Sequence, residues 1–212
     1  MKQSRIALKY GDEVFQIAQY RGEPVIGYNQ EWYPTKWQQT SGCGPTAACN
    51  IMAYMLYASG AGHRIEAGNQ SACVSAMEEA WNHVTPGEEG MPSTDMFRDG
   101  FLRYANGRGF RVCDHVLNVF GSPAGRPSFE TVRSFVEQGL RSDAPVAFLN
   151  LCNGDVCNLD RWHWVTIVSL ACEPDGGQAV VTVLDEGHVK TIDLRLWTDT
   201  TVRGGGFVYF TY

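Results

Sequence analysis

With 212 residues, 44% of them hydrophobic and 19% charged, the chain has enough apolar material for one well-buried core and too much for extended disorder. A formal net charge of −6, with Lys and Arg scattered and no basic run, excludes nucleic acid as the main partner. No stretch approaches the roughly 20 apolar residues of a membrane span, and the start, MKQSRIALKY, has neither the apolar region nor the cleavage site of a signal peptide.

In chain order, residues 1–35 alternate short β-like runs, RIALKY and EPVIGY, with glycine-containing turns. They read as a β-rich N-terminal extension of a single domain covering 1–212. Gly42-Cys43-Gly44-Pro45-Thr46 then opens a helix, AACNIMAYMLYA, whose Ala48, Ile51, Met52 and Met55 recur at helical spacing. It stops at Ser59-Gly60-Ala61-Gly62. Further helices are predicted at 70–83 and at 93–106, where Pro92-Ser93-Thr94 supplies a cap. Another is predicted at 128–141, after the glycine- and proline-rich loop 121–127. Strand patterns dominate the remainder: PVAFLNL, WHWVTIVSLA, AVVTVLDEG and the terminal GGFVYFTY. Helices first and strands last predict an α+β fold with an antiparallel sheet. There is no internal repeat and no linker.

Cys43 stands out among the seven cysteines. Proline is favoured in the first helical turn because its missing N–H is not needed there. The unsatisfied N–H groups and dipole of the new helix therefore point at or near the Cys43 sulfur, which favours a nucleophilic thiolate. Such a thiol needs a base held in position. His163 lies in one β-like run and Asp185 ends the next, with the turn signal Glu173-Pro174-Asp175-Gly176-Gly177 between them. His163 lies twelve positions before the turn centre at Asp175 and Asp185 ten after it. A hairpin thus brings them opposite each other within a two-residue register, with Cβ atoms about 5 Å apart if directly opposed. His188 is a rival base or a surface neighbour of Asp185; His63, His83 and His115 read as structural. Cys49, Cys73, Cys113 and Cys172 read as small buried apolar side chains.

These residues resemble the papain-like cysteine peptidases, and within them the bacteriocin-processing peptidases and their relatives. The likeness covers about 37–56 and 160–188. It consists of a glutamine shortly before Cys-Gly-Pro-Thr at a helix start, a later His-Trp on a strand, and a further strand ending in Asp. It implies a papain-like fold and acyl transfer through a Cys43 thioester, with His163 as the base and Asp185 orienting it. A glutamine amide, with the Cys43 N–H, would hold the oxyanion. The family's glutamine usually lies six residues before the cysteine, where this chain has Trp37. Gln38 is therefore the expected donor and Gln39 the alternative. Gln39, Gly42, Trp162 and Trp164 are expected to meet a peptide or protein substrate.

Weaker signals point elsewhere. Cys152 and Cys157 lack the second ligand pair of a zinc site, and Gly204-Gly205-Gly206 precedes a strand and reads as a turn, not a phosphate cradle. No metal or cofactor is expected. An odd number of cysteines without framework spacing points to free thiols in a reducing cytoplasm. Besides a peptidase, two other classes fit the pattern. One is a thiol-dependent acyltransferase or amidase of the phytochelatin-synthase type; the other is a binding domain that has lost catalysis.

Overall fold

A computed structural model describes residues 4–20, 23–62, 69–173 and 177–212. The N-terminal segment forms β1 (Ser4–Ala7), α1 (Gly11–Phe15) and the hairpin β2 (Gln16–Tyr20) and β3 (Glu23–Ile26), followed by a 3₁₀ turn at Gln30–Trp32. Four helices come next: α2 (Lys36–Ser41), α3 (Cys43–Ala58), α4 (Gln70–His83) and α5 (Thr94–Gly107). Then come β4 (Cys113–Phe120), α6 (Phe129–Arg141), β5 (Val146–Asn150), β6 (His163–Cys172), β7 (Ala179–Asp185), β8 (His188–Asp193), α7 (Leu194–Thr200) and β9 (Gly204–Thr211).

The main sheet runs β4-β9-β5-β6-β7-β8, antiparallel throughout, and β1 pairs with β6 beyond the end of β5. Alternation along the strands splits the apolar side chains between two cores. Val146, Phe148, Ile167, Phe207 and Trp197 pack with Val132, Val136 and Leu140 of α6. Ala147, Leu149, Trp164, Val208 and Phe210 pack with α3, α4 and α5. The fold is α+β, as the order of patterns predicts.

Helix boundaries follow the chemistry of their ends. Asn69, Ser93 and Ser128 each accept a first-turn N–H at the starts of α4, α5 and α6. Three features depart from the sequence reading. The N-terminal segment contains a helix, α1, and its first strand is part of the main sheet. The strand β4 and the helix α7 fall outside the predicted order: β4 is a largely exposed edge strand and α7 has only seven residues, so neither carries a strong periodic signal. Gly204, Gly205 and Gly206 are not a turn but the first residues of β9; all three pair with β4, and Gly205 and Gly206 pair with β5 as well. A Cβ at Gly205 would collide with the Leu149 carbonyl oxygen, so the neighbouring backbones fit only because no side chain is there. Part of the predicted turn 173–177 and of the loop 59–70, including His63, lies outside the described residues. Among the described residues no helix is long and apolar enough to cross a membrane.

Candidate active site

The sequence buries α3 almost all round its first two turns: Gly44 through Met52 are shielded from solvent, whereas Cys43 at its tip is partly open. A helix apolar on every side belongs in a protein interior, and α3 is held by α4 and α5 on one side and the sheet on the other. Cys43 is its first residue and Pro45 lies in its first turn, so the thiol sits where backbone N–H groups lack intrahelical partners. Gly42 joins α2 to α3 without a bend wide enough for a side chain. A Cβ there would stand 2.7 Å from the Tyr33 ring and collide with the Gln38 carbonyl oxygen.

His163 begins β6 and Asp185 ends β7. The pairing Thr166 with Leu184 puts them two positions off direct opposition, on diagonal neighbours. Their side chains meet: His163 Nε2 and Asp185 Oδ1 are 2.6 Å apart, and the residues are 6% and 3% exposed. Cys43 lines the same recess as the imidazole and raises its affinity for a proton. With Nε2 engaged by the carboxylate, Nδ1 is the ring nitrogen left for the thiol. Burial acts to lower the His163 pKa, but the bond to Asp185 and the neighbouring Cys43 outweigh it and raise it to about 10. For Asp185 burial acts upward and is overcome by His163 and Lys190, so its carboxyl titrates below the usual range. Lys190 Nζ lies 2.7 Å from Asp185 Oδ2. The resulting series of contacts runs from imidazole to carboxylate to ammonium, with the Cys43 thiol lining the same recess as the imidazole.

Cys43 stands between two hollows. One is a recess of about 10 Å³, room for roughly one water, lined by Gln30, Cys43, Thr46, Asn50, His163 and Asp185 among others. The other is a groove of about 260 Å³ bordered by Trp37, Ser41, Glu88, Met91 and Trp162. Neither Gln38 nor Gln39 lines either hollow. The Gln38 amide is committed to the start of α2: its Oε1 accepts from the Thr35 backbone N–H and hydroxyl, closing a capping box. Gln39 Nε2 donates to the Tyr33 carbonyl at 2.8 Å. The expected oxyanion donors Gln38 and Gln39 thus border neither hollow beside Cys43. Gln30 lines the recess; one N–H of its Nε2 donates to the Gln39 carbonyl at 3.0 Å, which leaves the second N–H as the donor it brings to the site.

The remaining sequence candidates separate by burial. Gly42 is buried at the helix junction and lines neither hollow. Trp164 is buried, stacked on Phe97 at 4.5 Å, and donates from Nε1 to the Met91 carbonyl. It borders the recess from the core side. Trp162 is 47% exposed, lies in the left-handed region at φ 55° and walls the groove. His188 is exposed at the β7–β8 turn, His83 stacks on Tyr104 and His115 on Tyr209. All seven cysteines are unpaired; Cys49, Cys73 and Cys172 are buried as expected, but Cys113 is exposed at the start of the edge strand β4. His163, Asp185 and Glu186 offer three donor atoms within 4.8 Å of one another. The His163 and Lys190 bonds already engage both Asp185 oxygens, so the cluster is accounted for without an ion.

No known protein family and no curated protein matches the sequence. The three-dimensional comparison does find solved structures, among them the crystal structure of UfSP from C. elegans. It superposes with a TM-score of 0.53 at 11% identity, over 99% of this chain and 34% of that one. The fold is papain-like. At that identity the likeness speaks for the fold alone, and this chain spans about a third of the UfSP chain's length.

Proposed function

We propose that the protein is a cysteine peptidase that hydrolyses a peptide or amide bond of a peptide or protein substrate through a thioester on Cys43. The observation that carries this reading is that Cys43, at the start of a buried helix, shares one recess with His163 and Asp185, which are bonded to each other at 2.6 Å. The shared fold with UfSP, a cysteine protease, supports it. The Cys-Gly-Pro-Thr helix start favours the bacteriocin-processing branch among papain-like enzymes.

In this mechanism the proton of Cys43 resides on His163, and Asp185 steadies the imidazolium. The thiolate attacks the carbonyl carbon, whose π electrons move onto oxygen. The Cys43 N–H and the Gln30 amide donate to that oxyanion. Collapse expels the amine, which takes the proton from His163 and leaves a thioester. Water then attacks, His163 accepts its proton, and the acid departs as the thiolate is restored. The groove on the far side of Cys43, between Trp37 and Trp162, offers apolar walls to an extended chain.

Peptide-library digestion, with and without added amine or thiol acceptors, tests the reading. Hydrolysis without an acceptor and its abolition in Cys43→Ala are expected. Products that form only when an acceptor is supplied would replace the peptidase with an acyltransferase. Brief iodoacetamide treatment at pH 6 should label Cys43 ahead of exposed Cys113 and Cys157.

A further inference from the structure

Asp185 is held at both oxygens. Oδ1 meets His163 at 2.6 Å and Oδ2 meets the Lys190 ammonium at 2.7 Å, with the carboxylate 1% and the lysine 29% exposed. Lys190 reaches it because Glu186 and Gly187 form a two-residue turn with φ of 49° and 80°, the left-handed pair that suits a tight hairpin. Asp185 then pairs with His188, and Lys190 lies two residues further along β8. We propose that Lys190 is a positioning residue of the catalytic site: it fixes the Asp185 carboxylate at its second oxygen and balances its charge behind the thiolate–imidazolium pair. The inference rests on the peptidase reading of Cys43 and His163.

Charge counting gives the reason. A thiolate and an imidazolium sum to zero, and a buried Asp185 carboxylate adds one negative charge. Lys190 cancels it. An uncompensated buried charge is costly, because the interior solvates it poorly. The other ionisable groups nearby are Asp160 in the loop before β6, Glu186 and His188 at the β7–β8 turn, and Tyr28 beside the recess. Asp160 and His188 are exposed, so solvent screens them more than it screens the Asp185–Lys190 pair. Fixing both oxygens also removes the carboxylate's freedom to turn, and so holds the imidazole's Nδ1 toward the sulfur.

Removing the ammonium leaves the site one unit more negative. That favours the imidazolium over imidazole and the thiol over thiolate, so both transitions move to higher pH. A residue that merely supports the fold would change rates or stability without moving both midpoints in the same direction.

The test uses the full chain as wild type, Lys190→Met, Lys190→Gln and Lys190→Arg, each checked for folding by circular dichroism. Cys43 alkylation by iodoacetamide is followed against pH by peptide mapping, and His163 titration by NMR of ¹³C-labelled imidazole. Lys190→Met and Lys190→Gln are expected to shift both midpoints upward by about 0.5–1 pH unit, and Lys190→Arg to stay near wild type. Unmoved midpoints in whichever neutral variant folds overturn the proposal, as does a downward shift. If Cys43 shows no preferential alkylation in wild type, the peptidase reading fails, while the His163 titration still reports on Lys190 separately.

Discussion

Two glutamines near the thiol divide their work, and substitution separates them. Gln30 lines the recess beside Cys43, so Gln30→Ala is expected to lower kcat by about 100- to 1000-fold, as loss of an oxyanion donor does, with little change in melting temperature. Gln38 closes the cap of α2, so Gln38→Ala is expected to cost about 1 kcal/mol of stability and to leave kcat within a few-fold. Steady-state kinetics beside thermal melts distinguish the two; the reverse pattern would return the donor role to Gln38. Why the sequence does not single out Gln30 is physical. Thr35 three residues before Gln38 is the pattern of a capping box, which ties the Gln38 Oε1 to the start of α2. Gln30 is the first residue of a 3₁₀ turn, and its approach to Cys43 depends on a tertiary path that no spacing encodes. The juxtaposition of His163 and Asp185 was legible because a hairpin converts sequence distance into spatial register. Lys190 obeys the same arithmetic across a shorter turn, but only if Glu186 accepts a left-handed backbone, which its side chain does not advertise.

At the scale of elements, the site depends on α3, β6 and the segment after β3 staying locked together. Asn50, one face along α3 from Cys43, makes that connection. Its Oδ1 accepts from the Tyr28 N–H at 3.1 Å, and its Nδ2 donates to the Thr166 hydroxyl at 3.2 Å. The side chain is buried, so its loss leaves partners without water to replace it. Asn50→Leu should therefore lose about 1–3 kcal/mol of stability and also lower turnover by loosening the placement of His163 and Gln30. Chemical denaturation measures the first effect and kinetics at a temperature where the variant is folded measures the second; unchanged values for both would remove Asn50 from this role. Elements with strong local signals were legible: α4, α5 and α6 begin within a residue of their predicted starts because Asn69, Ser93 and Ser128 cap them. The edge strand β4 was not, since one face of it meets solvent and its alternation is blurred. The triple glycine of β9 resembled a turn because the close approach to β4 and β5 that requires it is non-local.

For the whole molecule, the antiparallel α+β character follows from the order of patterns, whereas the sheet order does not. The last strand, β9, inserts between β4 and β5, a pairing set by burial of both faces and not by adjacency in the chain. That arrangement places a cluster of opposite charges in the interior, and the cluster couples stability to pH. Asp185 has a depressed folded-state pKa, so its contribution is full above its ordinary value of 3.8 and is lost as pH falls through the folded value. His163 has a raised one, so its contribution is full below its ordinary value of 6.5 and is lost as pH rises toward about 10. The two overlap between these ordinary values. Wild type should therefore exceed Asp185→Asn in melting temperature by the greatest margin from about pH 4 to 6.5. The margin should narrow in acid, as the carboxyl takes up its proton, and narrow again in mild alkali, as the imidazolium loses its own. Differential scanning calorimetry of both proteins from pH 3 to 10 measures the margin directly. A difference that stays constant across the range would mean that Asp185 stabilises the fold by shape and hydrogen bonding alone, with no ionic pairing to His163.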